Sequence, residues 1–423
     1  MTDFTDSDVI VIGGGAAGMF SACLLAKAGK RVIMIEPNRK LGRKLRITGK
    51  GRCNLTNNSS NDNIIKNIVR NPKFMYSALS SFSANDVMDW FETRGVPLKT
   101  ERGARVFPVS DNANDIADAM EKELKRYRAV IIKDKAMQIL VEDGRVIGVK
   151  CSDRDYYAEN VILATGGCSY PATGSTGDGY EMARSLGHTV TEISASLVPI
   201  VCRESFVADL SGLALKNVTL SLCDIKKKKP IYSELGEVSF MPYGIAGPLS
   251  LTASCYMNPE KLEAGEYKIA IDLKPGLTDE QLERRIQRDF SETPSREISK
   301  AMSRLMPLQM ISAFVSLLDI DPNKPCNQVT REERERIKRL LKRFELAPLR
   351  LRPIDEAIIT RGGVSVKEIN STSMESKLVK GLYFAGEIID VDALTGGYNL
   401  QIAFSTANAA ARAICESKGE QKS

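Results

Sequence analysis

The chain opens with an apolar run that ends at a glycine-rich turn. Residues 9–12 are continuously apolar, as expected of a strand buried on both faces of a parallel sheet. Residues 13–18 then fit the pattern GxGxxG, an amphipathic stretch follows over 19–28, and a second apolar run at 31–36 ends in an acid. Strand, turn, helix and strand in this order predict the first βαβ unit of a dinucleotide-binding Rossmann domain.

The glycines and the acid of this unit each have an expected role. Gly13 permits the tight turn, Gly15 lets the backbone approach a pyrophosphate, and Gly18 lets the helix pack on the strand. The N-terminus of the helix faces the phosphate charge. Glu36 is placed to accept hydrogen bonds from a ribose diol, which favours FAD or NAD over NADP.

The segment after the second strand is basic and rich in glycine. Residues 37–57 show no strong helical period and end in Asn and Thr side chains. They predict a long irregular loop whose donors bind the second half of a large cofactor, FAD rather than NAD. A solvated basic loop is the alternative.

The next segment predicts a helix over 111–127 followed by a β-meander. Strands are expected at residues 129–132, 137–141, 145–151 and 158–163. Asp143 and Gly144 supply a hairpin turn. The last strand runs into Ala-Thr-Gly-Gly, which is typical of FAD domains related to glutathione reductase and lets the chain pass close to the cofactor. Because no second complete GxGxxG unit occurs, a dedicated NAD(P)H domain is not expected.

The hydrophobic period changes in the second half of the chain. Residues 191–273 contain short β-like runs, and residues 278–344 are strongly helical with charged faces. We therefore predict an α/β fold, in which a glutathione reductase-like Rossmann domain for FAD carries a β-rich and a helical insertion. The predicted boundaries are 1–190 with 356–423 for the FAD domain, 191–277 with 346–355 for the β-rich insertion, and 278–345 for the helical insertion.

The chain returns to the first domain through another strand, loop and helix. Residues 381–403 predict a strand, a glycine-rich loop and a helix that runs to about Cys415. Glu387 or Asp390 is expected to meet the ribityl hydroxyls of a flavin. Free N–H groups at residues 398–400 are expected to face the pyrimidine carbonyl edge of the flavin, where reduction places negative charge. An ordinary strand, loop and helix of an α/β sheet is the alternative.

Composition and charge narrow the class of protein. The 423 residues are 43% hydrophobic and 26% charged, which is ordinary for two or three globular domains. The acidic start lacks the features of a secretory signal and no apolar run approaches a membrane span, so a cytoplasmic protein without a membrane partner is expected. The basic clusters at 39–52 and 226–229 lack interleaved aromatics, so no nucleic-acid partner is expected. The second cluster is predicted to be a solvated hairpin tip, and the oligomeric state is left open.

The cysteines and the single histidine indicate that the chemistry comes from a cofactor. The nine cysteines form no CxxC pair and fit a reduced compartment. His188 is the only histidine, so neither a Ser-His-Asp triad nor a histidine-based metal site is predicted. His188 itself is expected to be structural.

Three segments together carry a resemblance to a known family. They are residues 13–18, residues 42–57 (GRKLRITGKGRCNLTN) and residues 386–400, supported by residues 164–167 and 362–364. On these residues the sequence resembles the bacterial flavoprotein family that includes aminoacetone oxidase-like and dehydro-bile-acid-reductase-like members. The family pattern often has glycine where Lys50 stands. The resemblance implies non-covalent FAD and three domains. Through residues 176–179 the chain is also distantly similar to the fumarate reductase and succinate dehydrogenase flavoproteins.

The motifs and the resemblance together give a set of expected FAD contacts. They are Gly13, Gly15, Ala16, Ala17, Gly18, Glu36, Pro37, Lys44, Thr48, Gly49, Gly51, Arg52, Cys53, Asn54, Ala136, Ala164, Thr165, Gly166, Gly386, Glu387, Asp390, Gly397, Tyr398, Asn399 and Leu400. The candidate catalytic residues are Cys53, Arg52 and Tyr398, and Tyr170 and Arg361 are further candidates for contacting or protonating substrate. Neighbouring cations are expected to lower the pKa of Cys53.

The expected activity is that of an FAD-dependent oxidoreductase. Hydride passes between flavin N5 and a small organic substrate, with NAD(P)H as a transient reductant. Direct oxidation of a small amine by oxygen, as in aminoacetone oxidase-like members, is the alternative among enzymes. A tRNA-modifying flavoprotein that holds tRNA through residues 39–52 belongs to a different class, and NAD in place of FAD in the main site is a third possibility.

Overall fold

The computed structural model describes residues 6–417, which divide into two compact units. The first unit takes in the described residues up to Ala195 together with those from Ile354 onward. The second unit is Ser196–Pro353. The second unit is therefore an insertion between two stretches of chain that fold together.

The elements follow one another in three stretches of the chain. Residues 6–196 contain β1 (Asp6–Ile12), α1 (Ala16–Lys27), β2 (Val32–Ile35), α2 (Arg43–Ile47), β3 (Thr56–Asn57), α3 (Asn61–Lys66), β4 (Ile68–Arg70), α4 (Tyr76–Ser81), α5 (Ala84–Glu92), β5 (Leu98–Glu101), β6 (Arg105–Pro108), α6 (Ala113–Arg126), β7 (Val130–Ile132), β8 (Ala136–Glu142), β9 (Arg145–Cys151), β10 (Asp155–Leu163), α7 (Asp178–Ser185) and β11 (Ser194–Ser196). Residues 200–351 contain β12 (Ile200–Cys202), β13 (Ala214–Asp224), β14 (Tyr232–Met241), β15 (Gly244–Ala246), α8 (Pro248–Ser254), α9 (Pro259–Glu263), β16 (Tyr267–Asp272), α10 (Asp279–Ser291), α11 (Ile298–Ala301), α12 (Leu308–Ser316), α13 (Arg331–Lys342), β17 (Phe344–Leu346) and β18 (Pro348–Leu351). The last stretch contains β19 (Ile359–Arg361), β20 (Leu382–Phe384), β21 (Asp392–Ala393) and α14 (Tyr398–Glu416).

The first unit is built on a mainly parallel sheet. Strands β7, β2, β1 and β10 lie side by side in parallel, and β20 pairs in parallel with the second half of β10. The first half of β10 instead pairs antiparallel with β9, which pairs with β8 in the meander. The carboxyl ends of β1, β10 and β20 therefore meet at one edge, as the Rossmann prediction requires, and that prediction is confirmed.

Two helices from opposite ends of the chain pack together beside this sheet. Helices α1 and α14 contact each other directly. The rings of Phe20 and Phe404 meet edge-on with centroids 5.0 Å apart, and the ring of Trp90 lies at the same distance from Phe20. Both helices are buried along most of their residues, so the return of the chain completes the core.

The predicted meander is confirmed, and the predicted irregular loop needs a correction. Asp143 and Gly144 have φ of 50° and 73°, the left-handed values that a tight hairpin turn requires. In contrast, residues 37–57 are not irregular throughout, because they contain α2. Leu45 is buried there, and the buried guanidinium of Arg46 pairs with Asp118 on α6 at 2.7 Å. Tertiary contacts thus impose a helical turn on a segment without a helical pattern.

The second unit is a sheet and helices around one core. Its seven strands are ordered β17-β16-β13-β14-β15-β12-β18, and the register of neighbouring pairs is antiparallel. Leu220 and Ile269 on the sheet and Phe314 and Ile337 on the helices belong to the same hydrophobic cluster. The β-rich and helical parts therefore share their interior, and their division into two domains stays a prediction. Among residues 6–417, no helix has the length and apolar character needed to span a membrane.

Candidate functional site

The turn after β1 is built from glycines that meet different steric needs. Gly13 has φ of 103°, and a Cβ there would stand 2.5 Å from the carbonyl oxygen of Ala164. A Cβ at Gly18 would stand 1.9 Å from the carbonyl oxygen of Gly13. A Cβ at Gly15 would meet no protein atom within 4 Å. The turn is therefore closed against the sheet at Gly13 and Gly18, and it is open at Gly15, where a phosphate can approach the backbone.

The start of α1 adds hydrogen-bond donors to this opening. Gly15 precedes the helix, and no side chain caps it. The N–H groups of Ala16, Ala17 and Gly18 have no acceptor one turn earlier in the helix. Together with the positive end of the helix dipole, they form a site suited to an anion.

The acid at the end of β2 is fixed beside the same turn. The carboxylate of Glu36 accepts hydrogen bonds from the N–H of Gly14 at 2.7 Å and from the N–H and Nδ2 of Asn38 at 2.8 and 2.6 Å. Pro37 follows it and is exposed. Glu36 therefore stands at the carboxyl edge, next to the phosphate opening, as a ribose-binding acid should.

The chain's last segment reaches the same place. Gly386 has φ of 78°, and a Cβ there would stand 2.8 Å from the Cβ of Ala17 on α1. Its N–H donates to Oγ1 of Thr406 on α14 at 3.0 Å. The segment after β20 therefore packs between α1 and α14. Residues 17 and 386, almost 370 positions apart, come into contact there.

The start of α14 lies against residues 54–57. A Cβ at Gly397 would stand 2.3 Å from the backbone of Thr56. The side chain of Asn57 donates to the carbonyl of Gly396 at 3.0 Å. With its amide turned so that the oxygen accepts, Asn54 receives the N–H of Gly397 at 3.0 Å. No side chain caps α14, so the N–H groups of Asn399 and Leu400 have no acceptor one turn earlier in the helix.

Residues 48–53 form a loop with repeated left-handed backbone. Gly49, Lys50, Gly51 and Cys53 have φ of 59°, 59°, 82° and 60°, and the N–H of Cys53 closes the loop on the carbonyl of Thr48 at 3.0 Å. Lys50 therefore adopts a φ that favours glycine, and glycine is the residue that the family pattern often has at this position. A Cβ at Gly51 would meet no protein atom within 4 Å, which leaves that side of the loop open.

A charged pair joins two of the predicted FAD contacts. Nζ of Lys44 on α2 lies 2.7 Å from Oε2 of Glu387 and 2.7 Å from Oγ of Ser169. The other carboxylate oxygen of Glu387 accepts from the N–H of Thr360 at 2.7 Å and from Ser169 at 3.1 Å. The side chains of Lys44 and Glu387 are 27% and 22% exposed, so both remain partly accessible to a ligand.

The second predicted acid of this segment is engaged elsewhere. The carboxylate of Asp390 is buried and forms an ion pair with Arg70 on β4. Nδ2 of Asn71 donates to its backbone oxygen at 2.6 Å and to its carboxylate at 3.2 Å. Of the two acids offered for the ribityl chain, Glu387 is therefore the one with an accessible side chain.

The pKa expected for Cys53 is wrong. The side chain is 0% exposed, and burial raises the pKa of its thiol far above the ordinary range, so it stays protonated. The cation beside it in sequence is turned away: the guanidinium of Arg52 stacks 4.2 Å over the ring of Phe107 and pairs with Glu101 and, at 2.6 Å, with Asp111. Cys53 packs inside the protein and Arg52 supports the loop, so we carry neither into the mechanism.

The positions of the remaining predicted residues say less about their roles. Tyr398 is 8% exposed at the first turn of α14, Tyr170 is 36% exposed in a left-handed conformation after β10, and Arg361 ends β19. Ala136 begins β8, where it pairs with Cys151 in the meander. Their contact with cofactor or substrate stays a prediction.

The single histidine is buried within the first unit. Nε2 of His188 lies 2.9 Å from Oγ of Ser376, and Nδ1 lies 3.3 Å from the carboxylate of Glu368. Burial lowers the pKa of His188, and Glu368 opposes that shift in part. The ring meets Phe384 on β20 edge-on, with centroids 4.9 Å apart. These contacts fit the structural role expected for it.

Sequence reasoning missed Ser169 and Thr360, which hold Glu387. Ser169 comes just after the Ala-Thr-Gly-Gly strand end, and Thr360 lies just ahead of Gly362. The proximity of these two residues to two glycine motifs is the sequence signal that could have identified them. Ser169 and Thr360 also contact each other although they are 191 positions apart, and no local sequence pattern reveals such a contact.

The residues present fit FAD. We call the surface made by residues 13–18, 44–57 and 386–400 the glycine cradle. It offers N–H groups for a pyrophosphate at α1 and, at Asn399 and Leu400 of α14, for the carbonyl edge of a flavin, while Glu36 beside the first turn is available to the ribose of the adenosine half. In addition, Oγ1 of Thr165 at the end of β10 is buried without a hydrogen-bond partner among the described residues. Such an atom is available to a bound polar group.

The parallel sheet and the glycine cradle define the class of the protein, an FAD-dependent oxidoreductase on a Rossmann-type domain. The chain belongs to the family described as HI0933-like protein Rossmann domain, whose model matches residues 7–413. The resemblance found in the sequence is thereby confirmed.

Two relatives whose names state different activities align with nearly the whole chain. The chain is 31% identical over 414 residues to a ribosomal RNA dihydrouridine synthase of Haemophilus influenzae, covering 96% of this chain and 98% of the relative. It is 28% identical over 408 residues to a 3-dehydro-bile acid delta(4,6)-reductase of Clostridium scindens, with coverage of 96% and 98%.

Solved structures share the fold at low identity. A quinol-fumarate reductase matches with a TM-score of 0.52 and 16% identity, covering 97% of this chain and 71% of its own. A 3-ketosteroid delta1-dehydrogenase of Sterolibacterium denitrificans matches with a TM-score of 0.51 and 14% identity, covering 98% and 100%. These likenesses concern the fold alone.

Proposed function

We propose that this protein is a reductase that saturates a carbon–carbon double bond conjugated to a carbonyl group. The observation that supports it is the pair of relatives that align along nearly the whole chain, whose names give different substrates but the same change of a bond. A dihydrouridine is a uridine with a saturated bond beside a carbonyl. A delta(4,6)-reductase of a 3-dehydro bile acid saturates bonds conjugated to a ketone.

The reaction balances as one hydride and one proton added to each double bond. Hydride adds to the carbon remote from the carbonyl, and the proton goes to the carbon beside it. FAD, when bound and reduced by NAD(P)H, would supply the hydride, and a further NAD(P)H would reduce the oxidised flavin again in this proposal. Saturation consumes two electrons per bond, which the substrate does not itself provide.

The chain's own residues bind and orient in this mechanism. The N–H groups of residues 16–18 would hold the pyrophosphate, and those of Asn399 and Leu400 would stabilise negative charge at the carbonyl edge of the ring system. Lys44 and Glu387, paired at 2.7 Å, offer a donor and an acceptor to the polyol chain. Because the pair is internally neutral, it adds hydrogen bonds without adding net charge.

Uridine in ribosomal RNA is the substrate that we propose first. Relatives from Haemophilus influenzae and Escherichia coli carry that name at 31% and 29% identity, both along nearly the whole chain. This proposal opposes the expectation of no nucleic-acid partner, which rested on basic clusters without aromatics. A small molecule with a double bond conjugated to a ketone is the second candidate, favoured by the bile-acid relative.

The test is a single anaerobic turnover. The purified protein is bleached with NADPH or NADH, and unmodified ribosomal RNA transcripts or a 3-oxo-4-ene steroid are then added. We expect the flavin absorbance to return and dihydrouridine, or the saturated steroid, to appear by mass spectrometry. Return of the absorbance only on admission of oxygen would count against both substrates, whereas bleaching of the oxidised protein by a small amine, with hydrogen peroxide formed in air, would favour the small-amine oxidase alternative.

Matched glycine variants control this experiment. In Gly15→Ala, the new Cβ occupies the phosphate opening, so neither bleaching nor product is expected. In Gly276→Ala, a Cβ also meets no protein atom within 4 Å, but the residue lies between β16 and α10, outside the cradle. Product from Gly15→Ala at the parent rate would contradict the placement of FAD in the glycine cradle.

A further inference from the structure

The sheet of the second unit leaves one face uncovered beside β13 and β16. These strands pair antiparallel in the register Thr219–Asp272, Ser221–Ala270 and Cys223–Lys268. Neighbouring side chains of a strand point to opposite faces, and Leu220 and Ile269 belong to the core. The residues of this register therefore share the outer face. We call these six, together with residues 227–229 and 342–343, the open sheet face.

This face is concave, with a floor of small side chains. It lines a cavity of about 570 Å³. The floor consists of Thr219, Ser221, Cys223 and Ala270, none of which reaches far from the backbone. Longer side chains stand around it, at the β13–β14 hairpin and beyond β16. A floor of this kind lets an elongated ligand lie close to the sheet.

The side chains around the floor are mostly cationic. Six cationic residues line the cavity, against two carboxylates, Asp224 and Asp272. The six are Lys227, Lys228, Lys229, Lys268, Lys342 and Arg343. The face thus carries an excess of positive charge that a neutral or cationic ligand would not use.

The cations of the face differ in whether a carboxylate neutralises them. Lys268 and Arg343 both pair with Glu345, at 3.3 and 2.5 Å, and Lys342 pairs with Asp272 at 2.6 Å. Lys227, Lys228 and Lys229 are exposed, and among residues 6–417 no carboxylate forms an ion pair with them. Among the described residues these three adjacent lysines form no ion pair, and the buried carboxylate of Asp224 near Lys227 is itself paired with Lys261 at 2.7 Å. They are therefore the cations of the face most available to a ligand's phosphates.

No aromatic side chain lines the cavity, which restricts how a nucleic acid could bind. Single strands are held largely by stacking of bases on aromatic rings. Structured RNA is held instead by contacts to phosphates and by shape, which need cations and a fitting surface. A steroid-like substrate carries no succession of phosphates, so this face has no role for it.

We propose that the open sheet face binds the phosphate backbone of structured RNA and so docks the substrate. The identity of that RNA as ribosomal rests on the proposed function. Sequence analysis predicts a solvated hairpin tip at residues 226–229, and the structure places these residues at the tip of the β13–β14 hairpin. In this proposal the exposed lysines of that tip contact phosphates.

The first test removes the lysines that lack a counter-charge. The variant Lys227→Ala/Lys228→Ala/Lys229→Ala is compared with Lys66→Ala/Lys125→Ala/Lys150→Ala, which removes three scattered exposed lysines of the first unit with no ion pair among the described residues. FAD content and thermal midpoint establish that both are folded. Binding of a ribosomal RNA stem-loop transcript is then titrated over a range of salt concentrations.

The expected result is specific to the hairpin. Its variant should bind the stem-loop at least about tenfold more weakly, and the slope of log affinity against log salt should fall by roughly two to three. The control variant should keep affinity and slope. Equal losses in both variants, an unchanged hairpin variant, or binding only to phosphatidylglycerol vesicles would overturn the proposal.

A second test uses a side chain on the floor as a reporter. Cys223 lines the face and is partly exposed. Bound RNA should slow its alkylation by iodoacetamide several-fold, while leaving the alkylation of Cys415, on α14, unchanged. Equal rates with and without saturating RNA would place the RNA elsewhere.

These tests separate the docking surface from the proposed function. RNA that binds the face but is never converted to dihydrouridine would overturn the proposed substrate and leave the surface standing. RNA that is converted with an unchanged KM by the hairpin variant would overturn the surface and leave the substrate standing.

Discussion

The glycine cradle of the first unit and the open sheet face of the second both suit phosphates, but they are made differently. The cradle uses backbone N–H groups exposed by glycines, and its charged side chains, such as Lys44 and Glu387, are paired. The open sheet face uses long side chains, and Lys227–Lys229 have no carboxylate partner among the described residues. A backbone site fixes one ligand geometry, whereas a side-chain surface tolerates many and weakens with salt.

The largest expected difference between the two regions is chemical accessibility. Cys53, in the loop of the cradle, is fully buried with a raised pKa, while Cys223, on the open face, is partly exposed. Iodoacetamide should label Cys223 at least about 1,000-fold faster, because Cys53 reacts only through opening that costs several kcal/mol. Peptide mapping by mass spectrometry measures both rates. Both thiols should react alike in urea, and similar rates in the native protein would contradict the burial of Cys53.

A smaller but still large effect is expected from closing the cradle with one methyl group. Gly15→Ala should weaken FAD binding roughly 100-fold, because the Cβ enters the phosphate opening, yet it should leave the apoprotein's thermal midpoint almost unchanged. Flavin fluorescence titration measures the affinity. Gly18→Ala is the counterpart, since its Cβ would strike the oxygen of Gly13 at 1.9 Å and should destabilise the apoprotein itself. Equal stabilities would contradict the distinction between open and closed sides of the turn.

The side-chain pair within the cradle should have an intermediate effect. Lys44→Met leaves Glu387 with its hydrogen bonds but without a counter-ion, at a cost of about 1–2 kcal/mol, since both groups are about a quarter exposed. Urea unfolding measures the cost, and Glu387→Gln completes a double-mutant cycle. Lys40→Met is the control, because among the described residues that exposed lysine forms no ion pair and one hydrogen bond, to Asn114 at 3.5 Å. Additive costs for Lys44→Met and Glu387→Gln would show that the pair does not couple.

The smallest expected effect tests the left-handed loop of the cradle. Lys50→Gly removes strain at φ of 59°, worth about 1 kcal/mol, while glycine's freedom in the unfolded chain offsets part of it. A net stabilisation of about 0.5 kcal/mol is expected in urea unfolding. Lys66→Gly, in the helix α3, should instead destabilise by about 1 kcal/mol. Destabilisation of both would contradict the loop geometry.

The sequence predicted the first unit's framework closely, since its elements carry local patterns. The expected helix at 111–127 is α6 at Ala113–Arg126, and the expected helix to about Cys415 is α14, ending at Glu416. It was less successful at residues 37–57. There the ion pairs between Arg46 and carboxylates on α6 stabilise the helix α2, and no local sequence pattern indicates those contacts.

The glycine cradle was determined by the sequence alone, because a backbone site needs glycine at particular positions and glycine patterns are visible in one dimension. Gly13, Gly18 and Gly397 each lie where a Cβ would collide with backbone. Only the tertiary structure decided which side chains complete it. Lys44 meets Glu387 from 343 positions away, and Cys53 is buried rather than activated.

The open sheet face was likewise decided by tertiary structure. Strand register places Ser221 beside Ala270 and sets cations from three separate segments around one floor. A lysine is compatible with almost any exposed position, so its presence in the sequence says little about its neighbours. Long-range pairing of strands, not local preference, turns such residues into a surface.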